Sequence, residues 1–161
     1  MHSIWSGIDE KATYEAAKQV LSEYQDWKLD ALNFSLALKS PVMDDMPKSE
    51  SFTNTNEEKL LNHSNAQFEV ELRERTINVM RTIDDKHELL ADLLYYRYIR
   101  NLEVKRVCQK LEAHYQVPMP ERTYNDYLHT AVLDFAMIYP RKNVRKKFAD
   151  ISPKSRLNAA E

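Results

Sequence analysis

Residues 104–138 read VKRVCQKLEAHYQVPMPERTYNDYLHTAVLDFAMI, and their pattern predicts two amphipathic helices with a turn between them. In each half the apolar residues recur three or four positions apart, which places them on one face of a helix. Pro118 and Pro120 predict a turn over residues 113–120, and Pro120 also suits the first turn of the second helix. The apolar positions are Val104, Val107, Cys108 and Leu111 in the first helix, and Tyr124, Leu128, Ala131, Phe135 and Ile138 in the second.

Glycine is almost absent from the 161-residue chain. Gly7 is the only one, whereas an average usage of about 7% would give roughly eleven. This scarcity excludes glycine-dependent machinery such as the phosphate-binding P-loop, the GxGxxG turn and the glycine-centred nucleophile elbow, and it disfavours tight β-hairpins. With 43% apolar and 30% charged residues, the chain is predicted to be an all-α protein.

The reactive residue types form no recognisable site in the sequence. Cys108 is the only cysteine, so an internal disulfide and the zinc sites that need two thiolates are excluded. The five histidines include no i,i+4 pair, and no Ser/His/Asp or Cys/His arrangement can be argued. We therefore expect no metal, no cofactor and no enzymatic activity.

The apolar runs are too short for a membrane span, which needs about 18 unbroken apolar residues. Residues 1–7 also lack the basic and apolar regions of a signal peptide. These two observations predict a protein of the cytoplasm that has no membrane partner.

The N-terminal region predicts one long helix or two shorter ones, beginning after Asp9 as the N-cap. Its apolar stripe can pack on the rest of the chain or on a second copy, and we expect a homodimer that associates through it. The stripe consists of Tyr14, Ala17, Leu21, Tyr24, Ala31, Phe34 and Leu38.

Residues 39–56 form the predicted linker, because they contain Pro41 and Pro47 and show little periodicity. Thr55 and Glu58 match a capping box, which predicts that the next helix begins near residue 56. The stripe that extends this helix to about residue 81 consists of Leu61, Phe68, Leu72, Thr76 and Val79.

A further helix is expected after Asp84 or Asp85, either of which can cap it, and Asn101 interrupts it. It carries Tyr95, Tyr96 and Tyr98, which can stack on bases or pack between helices; we favour packing.

Charge is distributed unevenly along the chain. Residues 1–83 hold 9 basic and 14 acidic side chains, whereas residues 84–161 hold 14 basic and 11 acidic ones, so the halves carry −5 and +3. A basic half joined to an acidic half is typical of a protein that binds a polyanion through one half and a partner protein through the other. The alternative is ordinary solvated helix surface.

Three successive helices from residue 84 to residue 139, the last two joined by a turn and set among basic residues, fit a helix-turn-helix that reads double-stranded DNA. The predicted DNA-binding residues of the second helix are Arg122, Thr123, Asn125, Asp126 and His129. Phosphate contacts are expected from Lys105, Arg106, Arg141, Lys142, Arg145, Lys146 and Lys147.

The predicted organisation therefore has four parts. Residues 1–38 form an N-terminal helical assembly element, and residues 39–56 form the linker. Residues 57–139 form the helix-turn-helix domain with its preceding support helix, and residues 140–161 form a basic tail.

Two stretches of the chain resemble a known family. Ser40-Pro41-Val42-Met43-Asp44-Asp45-Met46-Pro47-Lys48-Ser49 resembles the "SP…dMPks" linker of the ArpU-like phage transcriptional regulators, the autolysin-regulator family. Glu121-Arg122-Thr123-Tyr124, followed by Ala131-Val132-Leu133-Asp134-Phe135-Ala136, is similar to that family's "ERTfyrykkkALleFA" recognition helix. The resemblance covers about residues 9–138.

This resemblance implies a regulator of phage late genes, for packaging or lysis, whose C-terminal part is similar to region 4 of sigma factors. It also implies RNA polymerase as a further partner. The chain departs from the family pattern in a longer turn, from about Glu112 to Pro120, and in the less basic residues 125–130 of the recognition helix. The alternative function is a helical protein-interaction adaptor that contacts polymerase or a phage protein without reading DNA.

Overall fold

The computed structural model describes residues 7–39 and 50–148, and this part of the chain is all-α, as predicted. Six α-helices are present in it: α1 (Glu10–Ser22), α2 (Tyr24–Lys39), α3 (Glu50–Arg81), α4 (Asp85–Leu94), α5 (Val104–Tyr115) and α6 (Glu121–Ile138). A π-helical turn, Tyr95–Ile99, extends α4, and a 3-10 turn, Lys142–Val144, follows α6. The motif at residues 40–49 and the tail from residue 149 onward lie outside the described residues.

Two helices, α1 and α4, begin where the sequence predicts. The Asp9 carboxylate accepts a hydrogen bond from the Ala12 amide at 3.0 Å and caps α1. Asp84, rather than Asp85, caps α4 by accepting from the His87 amide at 2.8 Å. Of the two arrangements expected for the N-terminal region, the structure has the pair of helices, which meet at Glu23.

Two predicted boundaries are wrong. The helix expected near residue 56 begins at Glu50, so residues 50–56 of the proposed linker are helical. Thr55 and Glu58 therefore lie inside α3, because a Thr-x-x-Glu spacing also fits a helix interior. No proline lies between Pro47 and Pro118 to interrupt the helix. The turn expected from residue 113 begins at Gln116, since α5 continues to Tyr115.

The helices enclose a single apolar core. α1 packs along α6, α2 packs along α3, and both α3 and α6 contact α4. The core includes Leu21, Met80, Leu94, Leu111 and Phe135. The N-terminal stripe thus packs on the rest of the chain: Ala17, Leu21, Tyr24 and Ala31 are buried within it. These four positions are therefore not available to a second copy.

The face of α3 that packs against the core is not the face predicted from its stripe of apolar residues. Ala66, Val70, Ile77 and Met80 are buried. Of the five stripe residues, Thr76 is buried and Leu72 is half-buried. The other three lie at the surface, with exposed fractions of 62% for Leu61, 55% for Phe68 and 51% for Val79.

A buried arginine connects α3 with the N-terminal helices. The Arg73 side chain is 2% exposed, and its Nε donates to the Val20 carbonyl at 2.8 Å. Its Nη1 donates to the Glu69 carboxylate at 2.7 Å, and its Nη2 lies 3.3 Å from Glu23. A buried charge is stable only when it is paired and hydrogen-bonded, and this guanidinium meets both conditions.

Candidate nucleic-acid interface

The N-terminal half of α6 exposes four polar side chains on one face. Arg122, Asn125, Asp126 and His129 are all exposed, and their spacing of i, i+3, i+4 and i+7 places them together. Thr123, also predicted to contact DNA, lies to one side and is half-buried. The opposite face carries Tyr124, Ala131, Val132 and Phe135, which are buried in the core.

The turn before α6 is built without glycine. Gln116 ends α5 in the left-handed region, with φ 55°, and its amide donates to the Glu112 carbonyl at 2.9 Å. The Met119 side chain is buried, and its amide donates to the Glu112 carboxylate at 2.8 Å. Glu112 thereby holds both ends of the turn and sets the direction in which α6 departs.

α4 braces both helices of this pair. The Tyr115 hydroxyl at the end of α5 hydrogen-bonds the Asp92 carboxylate. Burial, together with this carboxylate, raises the pKa of the Tyr115 hydroxyl far above its usual value, so the phenol remains a donor. On the other side, His87 Nε2 lies 3.3 Å from the Asp134 carboxylate of α6. Burial raises the pKa of Asp134.

On α5, the side chains of Lys105 and Arg106 are exposed. A groove of about 590 Å³ separates the start of α5 from the start of α6. Three carboxylates, Glu103, Glu112 and Glu121, line this groove together with Lys105 and Cys108. Burial raises the pKa of the Cys108 thiol, and the nearby Glu112 and Glu121 act in the same direction.

The basic segment after α6 folds back onto the start of α1. The Lys146 amide donates to the Thr13 hydroxyl at 3.0 Å, and the Asp9 amide donates to the Lys146 carbonyl at 2.8 Å. Ile8 and Lys147 form an antiparallel bridge beside them. Lys142, Lys146 and Lys147 keep their side chains exposed.

The two arginines of the segment have partners within the chain. Arg141 forms an ion pair with Glu69, and Arg145 Nη2 donates to the Tyr139 carbonyl at 3.1 Å. Of the five basic residues predicted there, the three lysines and Arg141 are exposed, and Arg145 is half-buried. Nothing in the sequence pairs residue 141 with residue 69, because the contact depends on how α3 lies against the end of α6.

Tyr14 joins the start of α1 to the exposed face of α6. Its ring stacks on His129 with centroids 4.9 Å apart, and Lys18 Nζ lies 5.9 Å from the centroid of the Tyr14 ring. Since the adjacent Thr13 holds Lys146, one turn of α1 contacts both the α6 face and the basic segment. The sequence pattern does not identify Tyr14 and Lys18 as site residues. Their i,i+4 spacing places them on one face of α1 but does not show which helix that face contacts.

The three tyrosines after α4 are half-buried and pack against the core, as favoured from the sequence. Burial raises the pKa of Tyr98 to about 12. Arg97 lies over the Tyr98 ring and Lys110 over the Tyr96 ring.

Two further observations concern metal sites and membrane spans in the described residues. Within residues 7–39 and 50–148, no group of three His, Cys, Asp or Glu side chains is arranged to hold a metal ion. In the same residues, no helix is both long and apolar enough to cross a membrane.

Comparison of the chain with protein-family models, with curated proteins and with solved structures finds no match.

Proposed function

We propose that the protein is a transcriptional regulator that binds double-stranded DNA through α5 and α6. The observation that carries the proposal is the face of α6 formed by Arg122, Asn125, Asp126 and His129, which stands clear of the core while α4 and α5 brace the helix from behind. A major groove about 12 Å wide admits one helix presented in this way.

The four side chains are suited to reading base edges. Arg122 can contact guanine with two hydrogen bonds, Asn125 can do the same with adenine, and Asp126 can accept a hydrogen bond from cytosine. His129 is held by Tyr14 and lies farthest from the helix start. In a helix-turn-helix the N-terminal residues of the recognition helix contact the bases, which suits Arg122 and Asn125 best.

The phosphate contacts are assigned to exposed lysines and arginines around this face. Lys105 and Arg106 belong to α5, and Lys142, Lys146 and Lys147 belong to the segment that folds back onto α1. Arg141 and Arg145 are excluded from this set because Glu69 and the Tyr139 carbonyl hold them. The family resemblance adds phage late genes as the target, the host cytoplasm as the location and RNA polymerase as a further partner.

The second candidate is the helical adaptor that contacts another protein and reads no DNA. One observation favours it: residues 104–138 carry four basic and four acidic side chains, so the helix pair has no net charge. Glu121 and Asp126 lie on or beside the exposed face of α6. A neutral surface of this kind suits a protein partner better than it suits a polyanion.

Titration of a labelled DNA duplex with the full chain at several salt concentrations separates the two candidates. For the regulator, log K falls linearly with log salt, with a slope of about −0.9 for each phosphate neutralised. Replacing Lys142, Lys146 and Lys147 together by alanine should make this slope shallower by about one for each phosphate that these lysines neutralise. Lys59→Ala on α3 serves as the control. Absence of binding at low salt supports the adaptor.

A further inference from the structure

The outer face of α3 carries a heptad seam that is largely exposed in the described chain, and only Leu72 packs partly against the core. Positions 61, 65, 68, 72, 75 and 79 alternate in steps of four and three, which is the spacing of a coiled-coil interface. Leu61, Phe68 and Val79 are more than half exposed, and Leu72 is half-buried. The seam extends about 27 Å along the helix.

The seam is symmetric about Val70. Leu61 and Val79 lie nine residues to either side of it, and Phe68 and Leu72 lie two residues to either side. If two α3 helices run antiparallel and cross at Val70, Leu61 of one copy faces Val79 of the other. In the same arrangement Phe68 of one copy faces Leu72 of the other, so each pair is apolar. An interface of two identical patches related by a two-fold axis has this property, since residue i meets residue j and j meets i.

The polar residues of the seam obey the same symmetry. Asn65 and Arg75, both exposed, lie five residues to either side of Val70. Each Arg75 would meet the other copy's Asn65, whose amide oxygen can accept a hydrogen bond from the guanidinium. One polar layer inside an apolar seam selects a single register and orientation.

Charges beside the seam are already balanced within one chain. Glu71 lies 3.3 Å from the Arg75 guanidinium, and Glu69 is paired with Arg73 and Arg141. The carboxylates nearest the centre would therefore not face each other as bare like charges. An antiparallel approach of two copies has no evident electrostatic obstacle.

We propose that the occupant of this seam is a second copy of the chain, and that two α3 helices pair antiparallel about Val70. The proposal assigns a different surface to the homodimer that the sequence predicts, because the fold buries Ala17, Leu21, Tyr24 and Ala31 of the N-terminal stripe. It is tested without DNA, so its failure and the failure of DNA reading are distinguishable.

The first experiment is sedimentation of the full chain and two matched variants. Phe68→Glu places a charge at the centre of the seam, whereas Leu60→Glu places one on α3 outside it; both side chains are exposed, at 55% and 58%. We expect a dimer for wild type and Leu60→Glu. For Phe68→Glu we expect the dissociation constant to rise at least about tenfold. A monomeric wild type, or equal association of both variants, overturns the proposal.

The second experiment tests the register. Leu61→Glu and Val79→Lys should each weaken the dimer, and the double variant should regain at least part of the loss, because each glutamate meets the other copy's lysine. The two positions are about 27 Å apart within one helix, so the rescue cannot arise inside one chain. A double variant that is weaker than both single variants contradicts the antiparallel pairing.

Cross-linking gives an independent measurement of the same register. In a Cys108→Ser background, chains with Leu61→Cys are mixed with chains with Val79→Cys and oxidised. Disulfides between unlike chains are expected, since facing positions fall within the Cα separation of about 4.4 to 6.8 Å that a disulfide needs. Cross-linking of Leu61→Cys with itself, without cross-linking to Val79→Cys, would show a parallel pair and overturn the proposal.

Discussion

Tyr14 of α1 stacks on His129 of α6, with ring centroids 4.9 Å apart and an angle of 29° between the rings. The contact brings α1 onto the face proposed to read DNA. It also fixes the imidazole that lies farthest along that face from the start of α6. The N-terminal helix is thus part of the support of the candidate interface.

A double-mutant cycle with Tyr14→Leu and His129→Leu measures this support. We expect a coupling energy of about 0.5–1.5 kcal/mol in the free energy of unfolding, the range found for aromatic pairs. Urea denaturation of the four proteins supplies the values. Additive effects of the two substitutions would show that the stacked rings do not stabilise the fold.

The buried Arg73 should matter far more to stability than its exposed neighbour. Arg73→Met leaves Glu69 and Glu23 without their shared cation, and breaking a buried pair in this way costs about 3–5 kcal/mol. Both variants are made in the Phe68→Glu background, which removes the proposed pairing of two α3 helices. Arg75→Met is then the control, because Arg75 also pairs with a glutamate four residues earlier but is 79% exposed. That substitution should change stability by less than about 1 kcal/mol. Similar losses in the two variants would contradict this account.

Stability should fall in acid through Glu69. Burial opposes ionisation of this carboxyl, but hydrogen bonds from Arg73 and Arg141 outweigh it and hold its pKa below the ordinary 4.5. Its contribution is therefore fully present above the unfolded pKa and is lost as the pH falls through the lower folded value. Glu69→Gln should be less stable at neutral pH and should lose less stability below pH 4.5 than wild type. Parallel stability curves for the two proteins would refute the assignment.

Replacing Gln116 by glycine should stabilise the protein. Gln116 adopts φ 55° at the end of α5, a region in which a side chain is strained and glycine is not. We expect a gain of about 0.5–1 kcal/mol in the free energy of unfolding, with Gln116→Val losing stability. Thermal unfolding of both variants checks the sign. A loss in Gln116→Gly would mean that the glutamine side chain contributes a contact that offsets its backbone strain.

The sequence predicted those elements whose signals are local. Asp9 is predicted as one helix cap, and Asp84 is one of the two candidates for another, because an N-cap acts on amides three residues away. Pro140 stands two residues after the end of α6 and is a local signal of the same kind, since proline cannot continue a helix. The start of α3 was misplaced because Thr55 and Glu58 fit a cap and a helix interior equally well.

Features that depend on packing between helices could not be predicted. Arg73 is charged, and buried charges occur only where the fold supplies partners, which here come from Val20, Glu23 and Glu69. The outward position of Leu61 and Phe68 was missed for the same reason, since α3 has two apolar faces and only the packing decides which one is buried. At the candidate interface, the exposed α6 residues followed from periodicity, whereas the partners of Arg141 and His129 did not.

Selection of duplexes from a random library shows whether the exposed face of α6 reads base sequence. Affinities of wild type, Arg122→Ala and the control Lys59→Ala are then compared on the selected duplex and on a scrambled one. We predict that Arg122→Ala loses about 1–3 kcal/mol of binding free energy on the selected duplex and none on the scrambled one, so its preference for the selected duplex declines. Lys59→Ala is expected to keep the wild-type preference. Equal binding of wild type to selected and scrambled duplexes, or an unchanged preference in Arg122→Ala, would contradict the account.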